Sequence, residues 1–158
     1  MQQLPPGLGE LLRHLNDIVD HGSEERYAEI GLACRPRYTP VLRAMAAGAS
    51  TVSDITEACR LTQGAVSQTL GLMAEAGLVT RHPLPDGRKS EVRLTGAGQV
   101  LLTQVSAHWS VIFAALDELE AEIGHPLRRA LTDTIDALER RSFAQRLRDQ
   151  APTSGDAA

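Results

Sequence analysis

The sequence predicts a mainly helical protein with one small antiparallel β hairpin, an α+β class, and three observations predict it. The stretch beginning Ser53-Asp54-Ile55 reads as a short helix, a tight turn at Arg60-Leu61 and a second helix with Thr62 as its N-cap. A hydroxyl residue set just before a helical apolar period is the signal for that cap. Two strand-like runs follow, Leu78-Val79-Thr80-Arg81 and Glu91-Val92-Arg93-Leu94, joined by a loop with the turn dipeptide Asp86-Gly87 at its tip. On either side of this block, apolar residues recur at helical spacing over more length than a block of about sixty residues can cover.

Taken in order, residues 1–7 are loose, with two prolines and a glycine. Leu8, Leu11, Leu12, Leu15, Ile18 and Val19 set an amphipathic helix from Leu8 to Asp20. His21-Gly22-Ser23 is expected to break or bend it, and Glu24 to Leu32 to resume it. Arg35-Pro36-Arg37-Tyr38-Thr39-Pro40 reads as a linker into a helix from Val41 to Ala47, and Val52 as a single residue of a third short strand. In the second motif helix Val66, Leu70 and Met73 share one face and point into a core. Gln63, Gly64, Ala65, Ser67, Gln68 and Thr69 are left outside, a small, polar face suited to entering a DNA major groove. Gly77 ends that helix, a place where glycine accepts left-handed torsions. Thr95 caps a helix of unusual length, striped by Leu101, Leu102, Val105, Trp109, Ile112, Leu116, Leu119 and Ile123. Pro126 permits a fresh start, and Leu127, Leu131, Ile135, Leu138 and Phe143 carry one helix to about Arg148, before a small, polar tail expected to be disordered.

A chain of 158 residues is a single domain or a domain with extensions, and an apolar content of 42% is ordinary for a soluble protein. No run of 18 apolar residues is present, so no membrane span is expected, and Met1-Gln2-Gln3-Leu4-Pro5-Pro6 does not read as a signal peptide; a cytoplasmic location is expected. The net charge of −4 divides unevenly: Arg35 to Leu94 carries eight Arg/Lys against five Asp/Glu, and the remainder eight against fifteen. A positive reading head on acidic supporting helices fits phosphate contact. Cys34 and Cys59 make neither a disulfide scaffold nor a zinc site. Cys59 is expected to be a buried, inert thiol, while Cys34 is either a small turn residue or a thiol made reactive by Arg35 and Arg37. No G-x-S-x-G, P-loop, H-E-x-x-H or dinucleotide fingerprint occurs, so no catalytic residue, cofactor or enzyme activity is expected. His14, Asp17 and His21 share a helical face, but a solvated polar face is the commoner meaning, and no metal site is assigned.

A helix-turn-helix followed by a basic hairpin makes a winged helix, and here the segment resembles the MarR family of bacterial transcriptional regulators. The residues that carry the resemblance are Ile55, Leu61, Val66-Ser67, Leu70, Met73, Gly77-Leu78-Val79, Arg81, Asp86-x-Arg88, Val92, Leu94-Thr95 and Gly98. It implies a winged helix-turn-helix over 35–98, dimerisation helices over 1–34 and 99–150, and a tail over 151–158. The expected partners are double-stranded DNA and a second copy of the chain, joined through Leu8, Leu11, Leu12, Leu15, Leu127, Leu131, Ile135 and Leu138. Such a twofold dimer spaces its reading helices roughly 34 Å apart on a palindromic operator.

Candidate DNA contacts are Thr62, Gln63, Gly64, Ala65, Ser67 and Gln68, with Gln63 and Gln68 suited to adenine, Ala65 to a thymine methyl and Ser67 to a phosphate. Gly64 departs from the family, which more often has a hydroxyl or larger polar residue there. Arg60 replaces the usual turn glycine. At the wing, Arg88 resembles the arginine that enters the minor groove, oriented by Asp86. Lys89 and Arg93 are either phosphate contacts or simply solvated. A small aromatic or anionic effector is implied, with His14, Arg37, Tyr38, His108 and Trp109 as candidate lining residues. Two alternatives remain: a thiol switch through Cys34, and a winged-helix module for protein contacts only.

Overall fold

A computed structural model of the protein describes residues 5–84 and 90–150, and two compact units divide the chain after Trp109. The first holds α1 (Leu8–Glu29), a 3-10 turn (Pro36–Tyr38), α2 (Thr39–Ala46), α3 (Val52–Cys59), α4 (Gln63–Glu75), β1 (Val79–Pro83), β2 (Ser90–Leu94) and the start of α5 (Gly96–Ile123). The second holds the end of α5, α6 (Leu127–Arg140) and α7 (Phe143–Gln150). The Asp86-Gly87 tip, with Arg88 and Lys89, lies outside the described residues, as do 1–4 and the tail 151–158.

The expected break at His21-Gly22-Ser23 does not occur, and α1 runs unbroken for 22 residues. A helix-interior glycine costs only about 1 kcal/mol relative to alanine, too little to break a long helix. Ser23 meanwhile donates its hydroxyl to the Val19 carbonyl at 2.8 Å, and His21 Nε2 lies 3.3 Å from Glu25 one turn on. The linker is also more ordered than its two prolines suggest. Pro36 starts the 3-10 turn and buries Tyr38 in the core.

That core gathers Val41 and Leu42 of α2, Ile55 of α3, Val66, Leu70 and Met73 of α4 and Val105 of α5, all fully inaccessible. The hairpin pairs Val79 with Leu94 through Pro83 with Ser90, and its root is sealed by buried Val79 and Val92. A third backbone segment does join it, but through Thr51, which bridges Glu91, while Ser50 accepts from the Val92 amide. Val52 instead opens α3. Thr51 accepts from the Asp54 amide at 3.2 Å, and the Asp54 carboxylate returns a bond to the Thr51 amide, a reciprocal cap that starts the helix there.

The passage from α4 through the hairpin to α5 is closed by one junction. Gly77, at φ +70, ends α4, and Leu78 donates back to the Met73 carbonyl. Thr95 donates its hydroxyl to the Gly77 carbonyl at 2.6 Å and accepts from the Gly98 amide at 3.1 Å. Gly98 sits so close to the Leu78 carbonyl that a Cβ there would lie 2.0 Å from its oxygen. By length and composition α5 would pass for a membrane span, but core helices pass the same test, and its Leu101, Leu102 and Val105 are buried in the first unit's core.

In the second unit the single helix expected from Leu127 to about Arg148 is two. Arg141 adopts an extended conformation after α6, Ser142 supplies a new cap by accepting from the Gln145 amide, and Arg146 donates to the Ala137 and Arg141 carbonyls. The α5–α6 corner is fastened by Arg128, whose amide and guanidinium both donate to Glu120, with Asp117 as a further partner. These bonds hold the Glu120 carboxyl down at about 2.

Two expectations follow. Gly98→Ala should cost about 3 kcal/mol or more by overpacking, while Gly22→Ala, where a Cβ meets nothing within 4 Å, should add about 1 kcal/mol; thermal melts of the two variants should move in opposite directions. Because Glu120 is depressed, its contribution is complete above its ordinary 4.5 and fades as pH falls toward 2. Helicity followed by circular dichroism should therefore separate wild type from Glu120→Gln at pH 6 and let them converge on acidification.

Candidate nucleic-acid interface

The reading helix is aimed by what lies behind and before it. Behind, Val66, Leu70 and Met73 fix its roll in the core. Before it, Arg60 ends α3 in the left-handed region at φ 51 and turns the chain through Leu61 to Thr62. Thr62 then accepts from the Ala65 amide at 3.2 Å, capping α4. The helix start therefore presents free amides and the positive end of the helix dipole, a local preference for phosphate.

On the outward side Thr62, Gln63, Gly64 and Gln68 are exposed, and Ala65 and Ser67 half-buried. Thr69, expected outside, is only 5% exposed: three residues after Val66 and four before Met73, it lies on the flank that faces inward. A residue not singled out from the sequence joins the outer stripe. Gly71 stands two turns after Gly64, and at both positions an added Cβ would meet nothing within 4 Å. Packing within the chain therefore requires neither glycine, and the stripe is bare.

Beside the helix, strand alternation places Thr80, His82, Glu91 and Arg93 on one face of the hairpin. Thr80 and His82 were missed in the sequence, although the alternation of β1 was the available signal. Arg93 is already engaged: its guanidinium donates to Glu91 at 2.6 Å, which lowers the Glu91 carboxyl below its usual range and raises Arg93. Asp86, Arg88 and Lys89 fall outside the described residues.

The five candidate effector residues do not converge. Arg37 lines a cavity of about 540 Å³, Tyr38 is core and lines a second of about 520 Å³, and His14 is exposed on α1. His108 and Trp109 are half-buried on α5, with the indole Nε1 of Trp109 buried and unpartnered among the described residues. Cys34 is buried, and burial pushes its thiol up to about 11, the reverse of activation by Arg35 and Arg37. Cys59 is half-buried rather than buried, and desolvation raises it as well.

A capped helix locked by its apolar face, a tight turn before it and an antiparallel hairpin after it define a winged helix-turn-helix. Residues 35–90 match the model of the MarR family. Solved structures agree on the fold. The M. tuberculosis transcriptional regulator MOSR in complex with DNA is 19% identical at a TM-score of 0.70, over 85% of this chain and 98% of that one. The S. aureus MepR–DNA complex is 19% identical at 0.65, over 85% and 99%. The PcaV regulator from Streptomyces coelicolor, with its natural ligand, is 18% identical at 0.62, over 89% and 99%. No curated protein matches the chain.

The two bare glycines carry a helix-propensity cost that no close packing at either position requires. Gly64→Ala and Gly71→Ala should each raise stability by about 0.5–1 kcal/mol, read as a higher midpoint in urea denaturation.

Proposed function

We propose that the chain is a homodimeric, sequence-specific DNA-binding regulator, a repressor that holds a palindromic operator in the cytoplasm and leaves it on binding a small molecule. The observation that carries this reading is α4: a capped helix with its apolar side immobilised and a bare, amide-bearing stripe turned outward, inside a MarR-type segment. Small residues allow close approach to the groove, and Gln63 and Gln68 supply the donor–acceptor pairs that read adenine. Arg60, Arg93, Arg88 and Lys89 are the cations for phosphate and minor groove, Arg93 exchanging Glu91 for a phosphate on binding.

A second copy of the chain is the simplest cover for its exposed apolar residues. On α1, Leu8, Leu11 and Leu12 are 60%, 51% and 40% exposed, with Ile18 and Val19 beyond them. Ile135 of α6 and Phe143 and Leu147 of α7 are similarly open, and Leu15, Leu127, Leu131 and Leu138 half-buried. Stripes of this kind favour self-association. The thiol-switch alternative loses its support with the raised, buried Cys34.

Fluorescence anisotropy on DNA flanking the protein's own gene tests the reading. Tight, competitor-resistant, salt-sensitive binding is expected, with Gln68→Ala losing roughly tenfold or more for the preferred sequence. Arg88→Ala should weaken binding further with the fold intact, and Gly71→Ala should weaken it while stabilising the protein. Light scattering should give a dimer that Leu11→Glu with Leu12→Glu converts to monomer. Sequence-blind, non-saturating binding would instead support a protein-contact module.

A further inference from the structure

We propose that His82 is a positioning residue for phosphate contact: when protonated it takes the Glu91 carboxylate and so frees Arg93 to bind DNA. Contact with DNA rests on the regulator reading above; the exchange among the three side chains does not. Antiparallel register sets His82 directly opposite Glu91 and Thr80 directly opposite Arg93, so all four side chains share one face of the hairpin. The hairpin meets the core through the other face, by Val79 and Val92.

The resting arrangement is a closed pair. Arg93 Nη2 donates to Oε2 of Glu91 at 2.6 Å, and a guanidinium so engaged is withheld from a phosphate. Glu91 is held below the usual carboxylate range first by this bond and, more weakly, by the charge of His82. The carboxylate thus feels both cations. An exposed ion pair is held loosely, so a second cation within reach can divide it.

His82 has the chemistry of that competitor. Its Nε2 lies 3.0 Å from the Thr80 hydroxyl, which can donate to a neutral ring or accept from a protonated one. Thr80 therefore steadies the ring in both charge states. Protonation makes both ring nitrogens donors, leaving one for a carboxylate once Thr80 is satisfied. Histidine is the side chain whose charge changes near neutral pH.

The surroundings leave Glu91 as the acid that His82 meets. β2 brings Glu91 and Arg93 to the shared face. α4, packed against β1, carries one charged residue, Glu75, exposed in its last turn. α3, packed against β2, carries Glu57 and Asp54, the latter bonded to the Thr51 amide. Arg81, beside His82 along β1, belongs to the opposite face. As pH falls, protonated His82 adds a positive charge to the hairpin and draws Glu91 from Arg93, and both changes favour phosphate. As pH rises, Arg93 returns to Glu91 and affinity declines.

Fluorescence anisotropy on DNA flanking the protein's own gene, at constant ionic strength, tests the exchange at about pH 6 and about pH 8. The wild type should bind about three- to fivefold tighter at the lower pH. Glu91→Gln should bind tightly at both, and His82→Gln and Arg93→Gln weakly at both. A pH dependence that survives Glu91→Gln or Arg93→Gln means that His82 meets phosphate itself, and one that survives His82→Gln means that other groups supply it. Either result overturns the proposal, as does a wild type indifferent to pH. NMR of the free protein gives a reading without DNA: the His82 ring and Arg93 Nε–Hε signals should titrate with one midpoint, and the Arg93 signal should stay still in Glu91→Gln. Independent movement in the wild type overturns the exchange. A chain that binds no DNA at either pH defeats the regulator reading, while the NMR titration still decides the exchange.

Discussion

The burial of one face of α4 is the constraint on which the rest depends. Val66, Leu70 and Met73 have no accessible surface, and they meet a core to which α2, α3 and α5 each contribute fully buried side chains. A close-packed interior tolerates little rotation, so the opposite face is held in a defined direction by the packing behind it. This is how a helix can leave its outward side chains unbonded and still present them in register. The cap at Thr62 completes the arrangement by fixing where the helix starts.

The hairpin inherits that precision through its root. The Leu78 carbonyl accepts from Thr95 and abuts Gly98, while Thr95 binds the Gly77 carbonyl. Four elements, α4, β1, β2 and α5, therefore end or begin within one small cluster of hydrogen bonds. A displacement of α4 at its C-terminal end cannot be absorbed there and must be passed to the strands. The Thr51–Glu91 bridge ties the hairpin's other strand to the cap of α3. Helix and wing consequently behave as one rigid reader rather than two tethered ones.

Much of this was legible in the sequence, where local signals and tertiary packing agree. Thr62, the apolar period behind it, Gly77 and the two strands announce themselves by spacing alone. Reading failed where a weak local signal met a strong context. His21-Gly22-Ser23 looks like a break, yet the flanking helix easily outweighs one glycine. Val52 looks like strand until Thr51 and Asp54 are seen as reciprocal caps, a T-x-x-D pattern that was present to be read. Thr69 was assigned outward because its polarity was weighed above its angular position. Cys34 was judged by its sequence neighbours, although burial, which sequence proximity does not report, decides its chemistry. The candidate effector residues were chosen as chemical types, and only the fold sorts Arg37 from Tyr38.

The charge distribution gives the reader's modest positive balance its meaning. The segment from Arg35 to Leu94 is positive by only three, and one of its cations is held by Glu91. On α1, six carboxylates stand against two arginines. A weakly positive reader has little sequence-independent attraction for phosphate, since that attraction scales with the number of phosphates neutralised. Its acidic neighbour helix further repels the duplex from any other approach within the first unit. On the proposed reading, affinity then comes mainly from contacts made only in the right register, with Gln63, Gln68 and the bare stripe between them as the candidates. On this argument the overall charge of −4 is not an obstacle to reading DNA. It suppresses the nonspecific competition against which any sequence preference must be measured.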